Sequence, residues 1–395
     1  MDRQRGGVPG LSRGSAIAPR FSLPDGFSLS GAGTTAGLRL ALSIALVAGL
    51  LTAPAGDNPA FSCAPAFAAA QGAAAPAAPP SANDEKQFGV GIGGGEFTAS
   101  RLPGTLGTDY LYPADRQRLE YFARHGLTLV RLPFLWERIQ PEPFGPLSAK
   151  DVAGLRAVLD AAAANHQSVI LDLHDYGRYY DKPLTTADAA RFADVWGQLA
   201  QAMVGQPGLF GYELMNEPHD LPGGSATWAS LAQVATNAIR DHDRTAWVLV
   251  PGYGWQSASQ WPANNPTLDV RDPTGRLLYA AHDYFDRDGS GTYARSYAAD
   301  GATPCTGVDR LRPFLEWLNR RDARGILTEY GVPADDPRWL DVLDRFLAAL
   351  EASPRIAGGT YWPAGPWWGS YPLSVEPTNG HDRPQAAILF RYPSK

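Results

Sequence analysis

The chain has 395 residues, a formal net charge of −6, 44% hydrophobic residues and only two cysteines. That length holds two ordinary domains or one large one, since an α/β barrel routinely uses about 250 residues or more. A mildly acidic chain with no basic stripe argues against a nucleic-acid partner, and two cysteines are too few for a disulfide-dense scaffold.

The first 86 residues differ from the rest: they are rich in Ala, Pro, Gly and Ser, with no Lys before Lys86. Arg3, Arg5, Arg13, Arg20 and Arg39 make a basic stretch, and the apolar run Leu40–Leu51 follows it. Small residues come next, at Ala53-Pro54-Ala55 and Ala66-Phe67-Ala68. This order predicts an export signal over residues 1–67, with an uncleaved anchor or a start set too far upstream as alternatives. The run is short for a membrane span. A secreted or periplasmic protein is therefore expected, without membrane association of the mature domain unless the anchor is kept. Cys63 then leaves with the signal and Cys305 has no partner. Ala60-Phe61-Ser62-Cys63 resembles a lipid-attachment site but lacks an aliphatic residue at its start. Residues 68–86 read as an Ala/Pro-rich linker, and 87–395 as the folded domain.

Eight strand-like runs follow: Phe88–Ile92, Thr128–Leu132, Ser168–Leu173, Leu209–Met215, Ala246–Val250, Leu277–Ala281, Gly325–Thr328 and Ala357–Tyr361. Near-continuous apolar runs suit parallel strands buried on both faces. Helical patterns fill most gaps. Ser148 caps a predicted helix with Asp151 at its third position, and Val152, Leu155, Leu159 and Ala162 form its apolar stripe. Thr186 opens another, with Phe192, Val195, Leu199 and Met203 on one face. Later helices are predicted over Ala226–Arg240, Asp309–Arg321 and Arg338–Glu351. The alternation predicts a single (β/α)8 TIM barrel.

In such a barrel the chemistry sits where strands end. Arg131, His174, Glu217, His282, Glu329 and Trp362 each fall at or just past the end of a different predicted strand. Glu217 and Glu329 are 112 residues apart, and two carboxylates meeting at that edge are what glycosidic bond cleavage needs. Arg131 shares a strand face with Leu129, and Glu329 with Leu327, so both would cap inward apolar columns. A cation lowers the pKa of a carboxylate that must stay ionised, which suits Arg131 beside Glu329. Glu217 needs burial and a raised pKa to hold a proton, and Pro218 biases its backbone toward an extended conformation. Glu213 and Asp172, lower on their strands, read as buried, satisfied carboxylates. His174, His219 and His282 lack metal-ligand spacing, so no metal or other cofactor is expected. The Gly run at 91–95 is not followed by Lys-Ser/Thr and is not a phosphate loop.

These residues resemble glycoside hydrolase family 5, above all its subfamily 5 endo-β-1,4-glucanases. The likeness runs from about Gly89 to Pro377 through Val130-Arg131-Leu132-Pro133-Phe134, Ile170-Leu171-Asp172-Leu173-His174, Leu214-Met215-Asn216-Glu217-Pro218-His219-Asp220, His282-Asp283-Tyr284-Phe285-Asp286 and Trp362-Pro363. The resemblance implies a retaining endo-β-1,4-glucanase with Glu217 as acid/base and Glu329 as nucleophile. By the same likeness Asn216 binds the sugar 2-hydroxyl, Arg131 and Tyr284 hold the nucleophile, His174 and His282 bond around the cleaved sugar, and Trp362 lies beneath it. The implied partner is a β-glucan polysaccharide met by a monomer. Trp136, Tyr179, Tyr180, Trp255, Trp367 and Trp368 are candidate subsite aromatics. Asp175 stands where relatives often carry Asn, and Pro363 predicts a cis bond after Trp362. Alternatives are a related β-glycanase acting on mannan, xyloglucan or an exopolysaccharide, and a polysaccharide-binding barrel that has lost catalysis.

Overall fold

The computed structural model describes Cys63 and residues 86–395. The predicted signal and linker, Cys63 and Lys86 apart, lie outside the described residues. Eight strands close into a ring: β1 (Gln87–Ile92), β2 (Leu129–Phe134), β3 (Ser168–Leu173), β4 (Leu209–Glu213), β5 (Trp247–Pro251), β6 (Leu277–His282), β7 (Gly325–Glu329) and β8 (Ile356–Ala364). Each pairs in parallel with the next, and β8 returns to β1. This is the predicted (β/α)8 barrel. Its strand centres were legible as apolar runs; their ends are displaced by up to three residues, as at β8.

The helices cover the outside. Ala149–Ala163 follows Ser148 as predicted, although the Ser148 hydroxyl bonds the Asp151 carboxylate rather than a backbone N–H. The helix expected from Thr186 begins as a single 3₁₀ turn, Thr186–Asp188, and continues as Ala189–Met203. Its cap is Thr185, whose N–H is accepted by Asp188 Oδ2 at 2.7 Å.

Leu129, Ile170, Leu249, Leu278, Ala280, Ile326 and Ala357 form an apolar cluster distinct from the larger cluster shared with the helices. Two residues beyond four of these stand Arg131, Asp172, His282 and Thr328, all at least 97% buried. The period-two alternation of strands thus sets a polar layer on an apolar one. Glu329 departs from its predicted place: Leu327 belongs to the larger cluster, so the column beneath is that of Ile326 and Thr328. The β6–β7 register shifts between Ala281 and His282, leaving His282 opposite Glu329. At that irregularity the carboxylate leaves the alternation.

Cys63 and Cys305 are bonded to each other, with Cα atoms 5.3 Å apart. The expectation of an unpaired Cys305 is therefore corrected. A pairing across 242 residues has no local sequence signal. Cys305 precedes the helix Thr306–Arg320, beyond β6. With its sulfur in this bridge, Cys63 cannot carry a thioether-linked lipid. Among the described residues no helix is long and apolar enough to cross a membrane.

Candidate active site

Arg131 is fully buried on β2 and organises the barrel mouth. Its Nε donates to Glu213 Oε2 at 2.6 Å, Nη1 to Glu329 Oε1 at 2.5 Å and Nη2 to Asn216 Oδ1 at 2.8 Å. Asp172 Oδ2 lies 3.0 Å from Nη2. Tyr284 donates its hydroxyl to the other oxygen of Glu329 at 2.7 Å. Burial raises the Glu329 pKa, while Arg131 and the Tyr284 hydrogen bond oppose that rise.

Glu217 does not adopt the extended backbone expected before Pro218; its φ is +44°. Such a conformation is strained for a glutamate and persists only where surrounding contacts impose it. Gln256 Oε1 accepts from the Glu217 N–H at 2.7 Å, and Gly254 N–H donates to the Pro218 carbonyl at 2.8 Å. The Glu217 carboxyl bonds His282 Nδ1 at 2.8 Å. Burial first, then the charge on Glu329, pushes Glu217 well above the ordinary glutamate range. Of the two carboxyls only Glu329 touches a guanidinium, so it ionises first. One oxygen of each, with a His282 ring nitrogen, lie within 4.8 Å of one another. Two carboxylates and an imidazole would suit a cation, but both Glu329 oxygens already accept from donors, Arg131 Nη1 and the Tyr284 hydroxyl, so the set does not fit a metal.

The Trp362–Pro363 bond is cis, as expected. The Trp362 indole stacks on His174 with ring centres 5.6 Å apart and planes 14° apart. A Cβ at Gly91 would meet Trp362 Cε3 at 2.6 Å, so glycine is required there for the indole to sit across the barrel mouth. His174 Nδ1 bonds Asp172 Oδ2 at 2.6 Å, and burial followed by Arg131 lowers its pKa to about 3.

Two of the candidate subsite aromatics are corrected. Trp136 is 0% exposed with Nε1 bonded to Gln140, and Tyr179 is 3% exposed with its hydroxyl bonded to the Gln140 and Pro141 carbonyls. Both are packing residues. Trp255 and Tyr180 are exposed, and Trp255 stacks on His219 at 4.5 Å. Trp367 and Trp368 are partly exposed against Phe97, and Trp368 packs edge-on to Trp362 at 5.4 Å. Sequence reasoning missed Gln256 and Thr328. Neither carries a charge, and their reach into the site depends on the turn at Trp255–Gln256, where both φ values are positive, and on the β7 register.

Asp175 Oδ2 accepts from the Trp136 N–H at 2.6 Å. It also bonds the Glu137 carboxyl, which accepts from the Tyr180 N–H. Burial, then Glu137, raises the Asp175 pKa well above normal; Asp175 therefore holds the shared proton, as an Asn amide would. An acid whose folded pKa is raised loses its stabilising contribution as pH climbs from the unfolded value toward the folded one. Melting temperatures at pH 5 and pH 9 should fall more steeply for the natural chain than for Asp175→Asn. Equal slopes would refute the shared proton.

A sequence profile of "Cellulase (glycosyl hydrolase family 5)" matches residues 84–352. The chain is 30% identical over 318 residues to "Probable endo-beta-1,4-glucanase B" of Neosartorya fischeri, covering 80% of this chain and 93% of that protein. It is 30% identical over 297 residues to "Endo-beta-1,4-glucanase A" of Emericella nidulans, covering 74% and 87%. Among solved structures, the Pseudomonas stutzeri endoglucanase Cel5A in complex with cellobiose is 40% identical, with a TM-score of 0.73 over 78% of this chain and 92% of that one. An endo-beta-1,4-glucanase from Xanthomonas axonopodis pv. citri is 36% identical, with a TM-score of 0.72 over 78% and 98%.

Proposed function

The chain belongs to glycoside hydrolase family 5, and from that premise we propose that it is an endo-acting, retaining β-1,4-glucanase. Glu329 attacks the anomeric carbon while Glu217 protonates the departing oxygen. Glu217, then ionised, draws a proton from the water that releases the glycosyl-enzyme. The observation that carries this reading is the close approach of the two carboxylates, within 4.8 Å between ligand-capable oxygens. Retaining enzymes keep their carboxyl groups about 5–5.5 Å apart, whereas inverting ones need about 6.5–9.5 Å for an intervening water.

Asn216 spends its oxygen on Arg131, which turns its amide N–H groups toward a sugar 2-hydroxyl. Trp362 forms the floor of the cleaved sugar's subsite. Trp255 and Tyr180, and Trp367 and Trp368, offer faces for neighbouring sugars of a β-glucan chain. The chemistry needs no metal or organic cofactor, and the chain acts as a monomer. Export to an oxidising compartment is supported by the Cys63–Cys305 bond. That bond also supports a mature chain that keeps Cys63 ahead of the barrel at 87–395.

The test is a panel of carboxymethylcellulose, mixed-linkage glucan, mannan and xyloglucan, with viscosity and product size followed over time. Proton NMR of the first product reports stereochemistry. Expected are a rapid viscosity loss on the cellulose derivative and the β-anomer first. The α-anomer first would overturn retention, and release from mannan alone would overturn the substrate.

A further inference from the structure

His282 lies between two carboxyl groups, and its hydrogen-bond chain has a direction. Nδ1 is 2.8 Å from Glu217 Oε1, and Nε2 is 3.1 Å from Thr328 Oγ1. The Thr328 hydroxyl donates to Glu213 Oε1 at 2.7 Å. Glu213 also receives Arg131 Nε at 2.6 Å and Gln256 Nε2 at 3.0 Å, so three donors converge on it and it acts as an acceptor.

A hydroxyl has one proton to give. With that proton on Glu213, Thr328 Oγ1 offers only lone pairs to His282, and Nε2 must carry the hydrogen. Burial, then Arg131, keeps the His282 ring neutral. A neutral imidazole protonated at Nε2 has a bare Nδ1. That bare nitrogen faces Glu217, and only a protonated carboxyl supplies the donor the contact requires.

We propose that Thr328 is a positioning residue for proton delivery: by committing its hydroxyl to Glu213 it fixes the His282 tautomer that keeps the proton on Glu217. The inference rests on the acid role proposed for Glu217. The other ionisable groups around the pair are Arg131 on β2, Asp172 and His174 at the end of β3, Tyr176 beyond it, Glu213 on β4, His219, whose Nδ1 bonds the Glu217 carbonyl at 2.8 Å, Tyr284 after β6, and Glu329 on β7, whose Oε2 lies 3.6 Å from His282 Nδ1. All of them remain in the variants below. Without the hydroxyl the ring is free to place hydrogen on Nδ1, which favours the Glu217 carboxylate and lowers its pKa.

The test combines ¹⁵N NMR of the histidine-labelled full chain with pH profiles of kcat/KM, for the natural chain, Thr328→Val and Thr328→Ser. The His282 signals are assigned by their loss in His282→Asn. The natural chain and Thr328→Ser are expected to carry hydrogen on Nε2. In Thr328→Val hydrogen moves to Nδ1, and the alkaline limb of kcat/KM shifts about one pH unit lower. Hydrogen on Nδ1 in the natural chain overturns the inference, even if Thr328→Val does not fold. So does a Thr328→Val enzyme whose activity falls with the limb unmoved. A natural chain that hydrolyses no glucan removes the proposed function instead, and the NMR result still judges the tautomer.

Discussion

Glu329→Gln is expected to lower kcat/KM on a soluble β-1,4-glucan by about 10⁴-fold or more, with the fold intact. The neutral amide cannot form the glycosyl ester, and it still faces Arg131 Nη1 and the Tyr284 hydroxyl, which contact the two Glu329 oxygens at 2.5 and 2.7 Å. Reducing-sugar release measures the loss directly. A more discriminating arm is Glu329→Ala with azide and a dinitrophenyl cellobioside. If position 329 supplies the nucleophile, azide takes its place from the same face and the product is the α-glycosyl azide. In Glu217→Ala the nucleophile remains, azide enters in the second step, and the β-azide forms. Near-natural turnover by Glu329→Gln, or the same azide anomer from both alanine variants, would overturn the role assignment.

Much of this was legible in the chain because barrels write themselves in a simple code. Buried parallel strands are apolar runs, and polar residues at their ends stand out against them. Arg131, His174, Glu217, His282, Glu329 and Trp362 are all brought to one mouth. The register was less legible. Strand alternation assigns Glu329 to the Leu327 column, and the local β6–β7 shift that overrides it leaves no mark in composition. Pro218 pointed to an extended Glu217, yet contacts from Gln256 and Gly254 hold a left-handed backbone. Local preference lost there to tertiary hydrogen bonds. Aromatic residue type alone could not separate an exposed Trp255 from a fully packed Trp136, because both uses favour a large flat ring.

Arg131→Met should produce the largest stability change, and its pH dependence identifies the cause. The guanidinium lies within 3.0 Å of Asp172, Glu213 and Glu329, which are themselves buried. Removing a charge partner inside a protein costs about 3–5 kcal/mol, because the remaining charges are left uncompensated. Burial already brings Asp172 to about 7 while Arg131 lowers it, so loss of the guanidinium raises it further. Carboxyls with folded pKa values above their unfolded ones bind protons on folding. Their penalty is absent below the unfolded values near about 4 and grows as pH rises toward the folded ones. Denaturant unfolding of Arg131→Met and the natural chain should therefore nearly coincide at pH 4 and separate by several kcal/mol at pH 7. A methionine fills much of the same volume, so lost packing alone would cost the same at both pH values. That pH-independent result would mean that Arg131 holds the barrel mouth by shape rather than by charge.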